Sequence, residues 1–356
     1  MDMNVAIPAL TAILAAVFSV ALLDQWRDRR HAYQAVWCLG MLFFAIGSAC
    51  EAIAAASGWN ETIYRTWYLT GAVWTAGWLG LGNAFLLGRT RFGYGFALCL
   101  FLAGLFTFLT PRRFPGEYPD VGITPLVYFV IAGGLAFTVA TATYFQDWRW
   151  PRLAALAVVG ATVLSIVLML GTTLPPPGYS VDPATGVPTG EILPGQLRLL
   201  TPFMNITGAF ALILGALFSA WVFMPKRRVL EYSLDPDQPG EQFLFNLILS
   251  PVAISVNFVV SLPGAIRALF AGQLNSRVPA TLLIALGALV PTITDSLNRF
   301  GSTQAFELGK LIGVVLLFLG FLASIETFAV IRIPFTSHVL RGARHEVMPD
   351  GDAPRS

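Results

Sequence analysis

Charge is what this sequence has least of. Of 356 residues, 20 are acidic and 22 basic, so 12% are charged where a soluble domain carries about 25%. A soluble fold could not cover its surface with so little charge, whereas a lipid-embedded one faces hydrocarbon over most of its area. The net charge of +2 is too small to argue for a nucleic-acid partner, and none is expected. Cysteine is sparse too: Cys38, Cys50 and Cys99 all fall in apolar runs. Cys38 and Cys50 share one expected helix at about 18 Å along its axis, too far apart to pair, so all three read as small buried hydrophobes. His31, His338 and His345 are the only histidines; none lies mid-span, which excludes a bis-histidine haem or a histidine metal site in the membrane. Phosphate loops, zinc motifs, Ser/His/Asp sets and DNA-binding signatures are missing, and no cofactor is expected. The start, Met1-Asp2-Met3-Asn4, lacks the basic residues of a cleaved signal peptide, so the first apolar run reads as a retained helix.

What is abundant is apolar length: 56% of residues are hydrophobic. Runs of about 20 apolar residues, enough to span a bilayer, recur near 6–23, 35–56, 67–87, 93–110, 124–144, 153–173 and 200–224, then near 241–262, 279–297 and 306–331. The expectation is an all-α polytopic bundle of about ten helices in the cell membrane. Residues 1–224 form a seven-helix core, 225–240 a cytoplasmic linker, 241–334 a C-terminal helical element and 335–356 a polar tail. One set of loops in the core holds ten basic residues, Arg27, Arg29, Arg30, Arg89, Arg91, Arg149, Arg152, Lys226, Arg227 and Arg228; the opposite set holds four, Arg65, Arg112, Arg113 and Arg198. The first set is therefore cytoplasmic and the N-terminus outside. Trp26, Trp59, Trp67, Tyr68, Trp148 and Trp150 fall at expected span ends, as an interfacial aromatic belt requires.

The last third reads in two ways. Length favours a full crossing at 241–262, which puts the C-terminus outside and leaves Arg267, Arg277, Arg332, Arg341 and Arg344 on the side that disfavours them. A re-entrant hairpin broken at Pro251 and Pro263 reverses the count. The 173–200 connection, rich in Pro and Gly, excludes a helix; Asp182 to Gly186 reads as the turn of a hairpin, and Val181, Val187 and Ile192 favour an ordered lid. Leu193-Pro194-Gly195-Gln196-Leu197-Arg198 is echoed by Leu262-Pro263-Gly264-Ala265-Ile266-Arg267. Two independent Pro-initiated turns account for the echo more simply than a repeat, though Pro-broken helices at matched positions also mark transporter sites.

Ionisable residues within spans cost roughly 2.5–3.5 kcal/mol each on insertion scales, so each needs a reason. Glu51 and Glu326 stand out, with Arg198 and Asn205 near the start of the seventh helix. Together these four are the candidate ligand-binding residues of a polar outer pocket beneath the 173–200 loop, with interhelical fastening as the equal alternative. Asp295, Asn298, Arg299, Glu307 and Lys310 read as a solvated or mutually paired junction at the membrane surface, Glu307 and Lys310 sharing a face at i,i+3. Asn83, Asn246 and Asn257 read as helix fasteners, and Gly77, Gly80 and Gly82 as points of close helix approach.

Trp59-Asn60-Glu61-Thr62-Ile63-Tyr64-Arg65-Thr66-Trp67-Tyr68-Leu69-Thr70-Gly71-Ala72 and Trp78-Leu79-Gly80-Leu81-Gly82, with Leu297-Asn298-Arg299-Phe300-Gly301 and Leu317-Phe318-Leu319-Gly320-Phe321, resemble segments of uncharacterised bacterial polytopic membrane proteins. The layout of the first seven helices is similar to the seven-helix sensory modules fused to histidine kinases. The resemblance implies the fold and brings no assigned activity. From the residues, the leading expectation is a non-enzymatic membrane module binding a small or lipidic ligand at an outer pocket, its C-terminal helices meeting a membrane protein partner. The alternatives are a secondary transporter using intramembrane carboxylates and, third, a lipid-modifying enzyme.

Overall fold

Apolar runs inserted in lipid must satisfy every backbone N–H and C=O within the segment, and a helix does so. Each of the seven expected core spans coincides with a helix or helical stack in the computed structural model. It describes residues 3–119, 121–183, 186–233, 240–275, 277–298, 303–324, 331–332 and 339–341. The elements are α1 (Met3–Arg29), α2 (Ala32–Ser57), α3 (Glu61–Trp67), a π-helical segment (Tyr68–Trp74), α4 (Thr75–Leu86), α5 (Phe92–Arg113), α6 (Thr124–Tyr144), α7 (Trp150–Leu170), the short α8 (Gly195–Arg198), α9 (Leu200–Phe223), α10 (Gly240–Phe270), α11 (Arg277–Asn298) and α12 (Thr303–Ala323). Among the described residues nine helices are long and apolar enough to cross a membrane: α1, α2, α5, α6, α7, α8 with α9, α10, α11 and α12. The third expected span is the stack of α3, the π-helical segment and α4, continuous from Glu61 to Leu86. Its start is fixed by Asn60, whose side chain accepts the Ile63 N–H at 3.0 Å, an N-cap. Beyond α12, Ile331–Arg332 pairs antiparallel with Val339–Arg341. The protein is thus an all-α polytopic integral membrane protein.

Two closed rings of helices share one edge. In the first, α1 packs on α2, α2 on α4, α4 on α9, α9 on α11, α11 on α12, and α12 returns to α1. In the second, α4 and α9 are joined through α5, α6 and α7. Each ring has its own core. Phe18, Trp37, Met41, Leu79, Leu212, Val314 and Phe321 fill the first; Phe92, Phe96, Leu100, Trp150, Val158 and Met204 belong to the second. The rings do not follow the chain division at 224, because α11 and α12 complete a ring that α1 and α2 begin.

The shared α4–α9 edge is narrow because both helices present glycine. A Cβ on Gly80 would lie 2.5 Å from the Gly208 carbonyl oxygen, and one on Gly208 2.0 Å from that of Ala76. Such close backbone approach is how helices associate where lipid offers no hydrophobic drive. Asn83 fastens the same edge, donating to the Ala211 and Leu212 carbonyls at 3.2 and 3.0 Å. Trp74 and Trp78 donate to Ser165 and Thr162 on α7, at 2.8 and 3.1 Å.

α10 is one unbroken helix of 31 residues with Pro251 and Pro263 inside it, so neither proline breaks it into a hairpin. Near its start, Phe243 packs on Tyr94 and Tyr144, ring centres 6.0 and 5.0 Å away. Farther along, Asn257 accepts the Val229 and Leu230 N–H groups at 2.7 and 3.0 Å and donates to the Leu230 carbonyl at 2.7 Å. Ser261 accepts the Arg227 N–H at 2.8 Å. Asn257 is a fastener, as expected, but its partner is the segment after α9 rather than another span.

Candidate functional site

Two polar places lie toward the end of the bundle that the loop charges turn outward. The first is inside the helices. Glu51 on α2 and Glu307 and Lys310 on α12 meet with little exposure, 15%, 15% and 7% of each side chain. Lys310 Nζ lies 2.5 Å from Glu51 Oε2 and 2.8 Å from Glu307 Oε1. Trp67 Nε1 donates to the other Glu51 oxygen at 3.0 Å, and Lys310 also stands 4.6 Å from the centre of the Phe306 ring. Two carboxylates therefore share one ammonium, and Glu307 Oε2 is buried without a hydrogen-bond partner among the described residues. Glu307 and Lys310 do pair at i,i+3, but the expected solvated junction is instead buried against α2. The cause is that α12 packs on the α1–α2 hairpin, a contact no local spacing announces.

The π-helical segment begins directly after Trp67. Its wider turn frees carbonyls from the usual pattern, and side chains meet them: Asn205 on α9 donates to the Ala72 carbonyl at 3.1 Å, and Thr75 to that of Thr70 at 2.8 Å. Single π-helical turns concentrate at functional sites. Gly47 on α2 lets this segment come close, since a Cβ there would lie 2.8 Å from Gly71 Cα.

The second place is a surface cleft of about 510 Å³ between the α5–α6 connection and the segment that leads into α9, lined by Glu117, Pro119, Glu191, Leu193, Pro194 and Arg198 among others. Arg198 donates to the Glu117 carbonyl, stands 4.4 Å from the centre of the Tyr118 ring and approaches the Glu117 carboxylate at 3.8 Å. Its side chain is 13% exposed. The base of the cleft is tight: a Cβ on Gly195 would lie 2.4 Å from Val121.

The connection after α7 forms the expected hairpin beside this cleft. Val181 and Pro188 form an antiparallel bridge, and the turn is closed by Asp182 N–H to Val187 O at 2.8 Å and Gly186 N–H to Asp182 O at 2.7 Å. α3 holds it down. Tyr64 donates to the Thr189 carbonyl, and Arg65 donates to those of Met169 and Thr172 at 2.5 and 2.7 Å while pairing with Glu61 at 2.7 Å.

Of the four residues expected to share one outer pocket, the structure separates three. Arg198 lines the cleft, Glu51 belongs to the intramembrane cluster, and Asn205 fastens α9 to the π-helical segment. Glu326 lies outside the described residues. The residues that sequence reasoning did not connect are Lys310, Glu307 and Trp67 with Glu51; the cost of burying Glu51 was the signal that it needed a cation. The two Leu-Pro-Gly-x-x-Arg elements differ in structure. Pro194 precedes α8, whereas Pro263 sits within α10. Comparison with protein-family models, curated proteins and solved structures returns no match to this chain.

Proposed function

We propose that this protein is a non-enzymatic membrane module whose outer cleft takes a small or lipidic ligand bearing an anionic group, with Arg198 as the anchoring residue. The observation that carries this reading is the state of Arg198. It is largely buried in a cleft wall, it stands over the Tyr118 ring, and the Glu117 carboxylate stands at 3.8 Å. A guanidinium so placed keeps N–H donors for a carboxylate or phosphate, which it grips in a two-pronged geometry. Leu193 and Pro194 supply apolar wall, and the hairpin held by Tyr64 and Arg65 leads directly into that wall at Glu191. The test is a thermal-shift screen of the full chain against small carboxylates, phosphate esters and lysolipids. A hit is expected to lose its shift in Arg198→Gln and keep it in Glu51→Gln. A hit indifferent to Arg198→Gln would remove the cleft from consideration.

One observation favours a second reading, a cation-coupled secondary transporter. The Glu51–Lys310–Glu307 cluster has one more carboxylate than ammonium, and a buried carboxylate oxygen has no partner among the described residues. Intramembrane carboxylates of this kind relay protons in transporters. Under this reading, uptake into proteoliposomes stops in Glu51→Gln and survives Arg198→Gln, the reverse of the binding pattern above.

A further inference from the structure

We infer that α10 lies in the plane of the inner leaflet, and that the cleft it forms with the segment after α9 binds the headgroup of an anionic phospholipid. The 22 residue steps from Phe243 to Ala265 measure about 33 Å along a helix, the full thickness of the hydrocarbon core. A crossing helix would therefore meet opposite ends of the bundle at these two points. Both instead meet the same end. Phe243 rests on Tyr94 at the start of α5 and Tyr144 at the end of α6. Ala265 joins Trp221 and Met224 at the end of α9 and Val278 at the start of α11. All of these lie at the end that the basic loops assign to the cytoplasm.

The two faces of α10 suit that position. Ser250, Ala253, Asn257, Ser261 and Ala265 are buried against the protein. On the other side Ile248, Val252, Val259 and Phe270 are 74%, 59%, 62% and 86% exposed, an apolar stripe for the acyl boundary. Between α10 and the segment after α9 opens a cleft of about 340 Å³ lined by Lys226, Arg227, Pro263, Gly264 and Arg267. Among the described residues none of its three cations has a carboxylate partner. Ser261 fixes the backbone of Arg227, and Lys226 stands 5.8 Å from the centre of the Trp221 ring, a pairing typical of the membrane interface. Three cations beside an apolar stripe match a phospholipid, with its phosphate in the cleft and its chains along α10. The placement also turns Arg267 and Arg277 cytoplasmic, and α11 followed by α12 returns the chain to the same side, as the distribution of basic residues demands.

The test uses the full chain in mixed nanodiscs of phosphatidylcholine and phosphatidylglycerol, with retained lipid counted by native mass spectrometry. Phosphatidylglycerol retention is expected to weaken about fivefold for each cation removed in Arg227→Gln and Arg267→Gln, with phosphatidylcholine unchanged. Equal retention in variant and wild type overturns the site, and protection of the wild type by inorganic phosphate alone overturns a lipid as its occupant. If the variants do not fold, the wild-type melting point carries the test: it rises when phosphatidylglycerol is added, and an unchanged value overturns the proposal. A reporter fused after Arg344 is expected on the same side as one after Lys226; opposite sides would make α10 a crossing helix and end the proposal.

Discussion

At Glu51, Lys310 and Glu307 the charges do not balance, and that asymmetry makes the three residues unequal under mutation. Lys310 is bound to two buried carboxylates at once. Lys310→Met would leave both without a cation, at a cost of about 3–5 kcal/mol. Glu51→Gln keeps an acceptor for Trp67 and leaves one ammonium facing one carboxylate, so its cost is expected below about 1 kcal/mol. Melting points of the purified variants check this, and equal losses would show that the cluster is not held by charge. The sequence marked Glu51 as needing a reason and marked Glu307 with Lys310 as a pair. It did not join them, because 259 residues separate Glu51 from Lys310 and spacing rules reach only a few turns of one helix. Arg198 was legible for the opposite reason: the Pro-Gly turn before it and its place at a span end are local features.

Among the elements, the glycines divide into those that serve contact and those that do not. Gly208→Ala would drive a methyl into the Ala76 carbonyl of α4, an overpacking expected to cost at least about 1–3 kcal/mol. Gly160, with nothing within 4 Å of an added Cβ, is a helix interior position where Ala is expected to stabilise by about 0.5–1 kcal/mol. Thermal melts of the two variants should move in opposite directions; the same direction would contradict the α4–α9 packing. The hairpin after α7 is a second element with a clear anchor. Arg65→Ala is expected to raise amide exchange across 178–190 while leaving α4 and α9 protected, and unchanged exchange would mean that the hairpin holds itself. The spans were legible because lipid demands continuous apolar length. The π-helical segment was not, since no residue pattern distinguishes it from the α-helix on either side. Of the two readings of 241–262, the hairpin fails because neither proline breaks α10. Pro251 and Pro263 both fall on its exposed side, where they leave the contacts with 227–230 intact.

At the scale of the whole molecule, the described spans other than α10 form two rings fused along α4 and α9, and the first closes only when α12 packs on α1. Phe18 of α1 meets Phe318 and Phe321 of α12, with ring centres 4.9 and 5.1 Å apart, and Trp37 of α2 meets Phe321 at 4.5 Å. The all-α bundle was legible from composition, but this closure was not, since it is a property of chain ends far apart in sequence. It sets an order in time. A ribosome adding about 5–20 residues per second needs on the order of 10–50 s to make the 259 residues between Glu51 and Lys310. During that interval α2 is already made and its carboxylate has no ammonium to meet. A nascent chain halted before α12 therefore exposes, in the bilayer, a charged flaw that the finished protein conceals, and the surveillance proteases of the membrane have a chemical mark by which to tell the two apart.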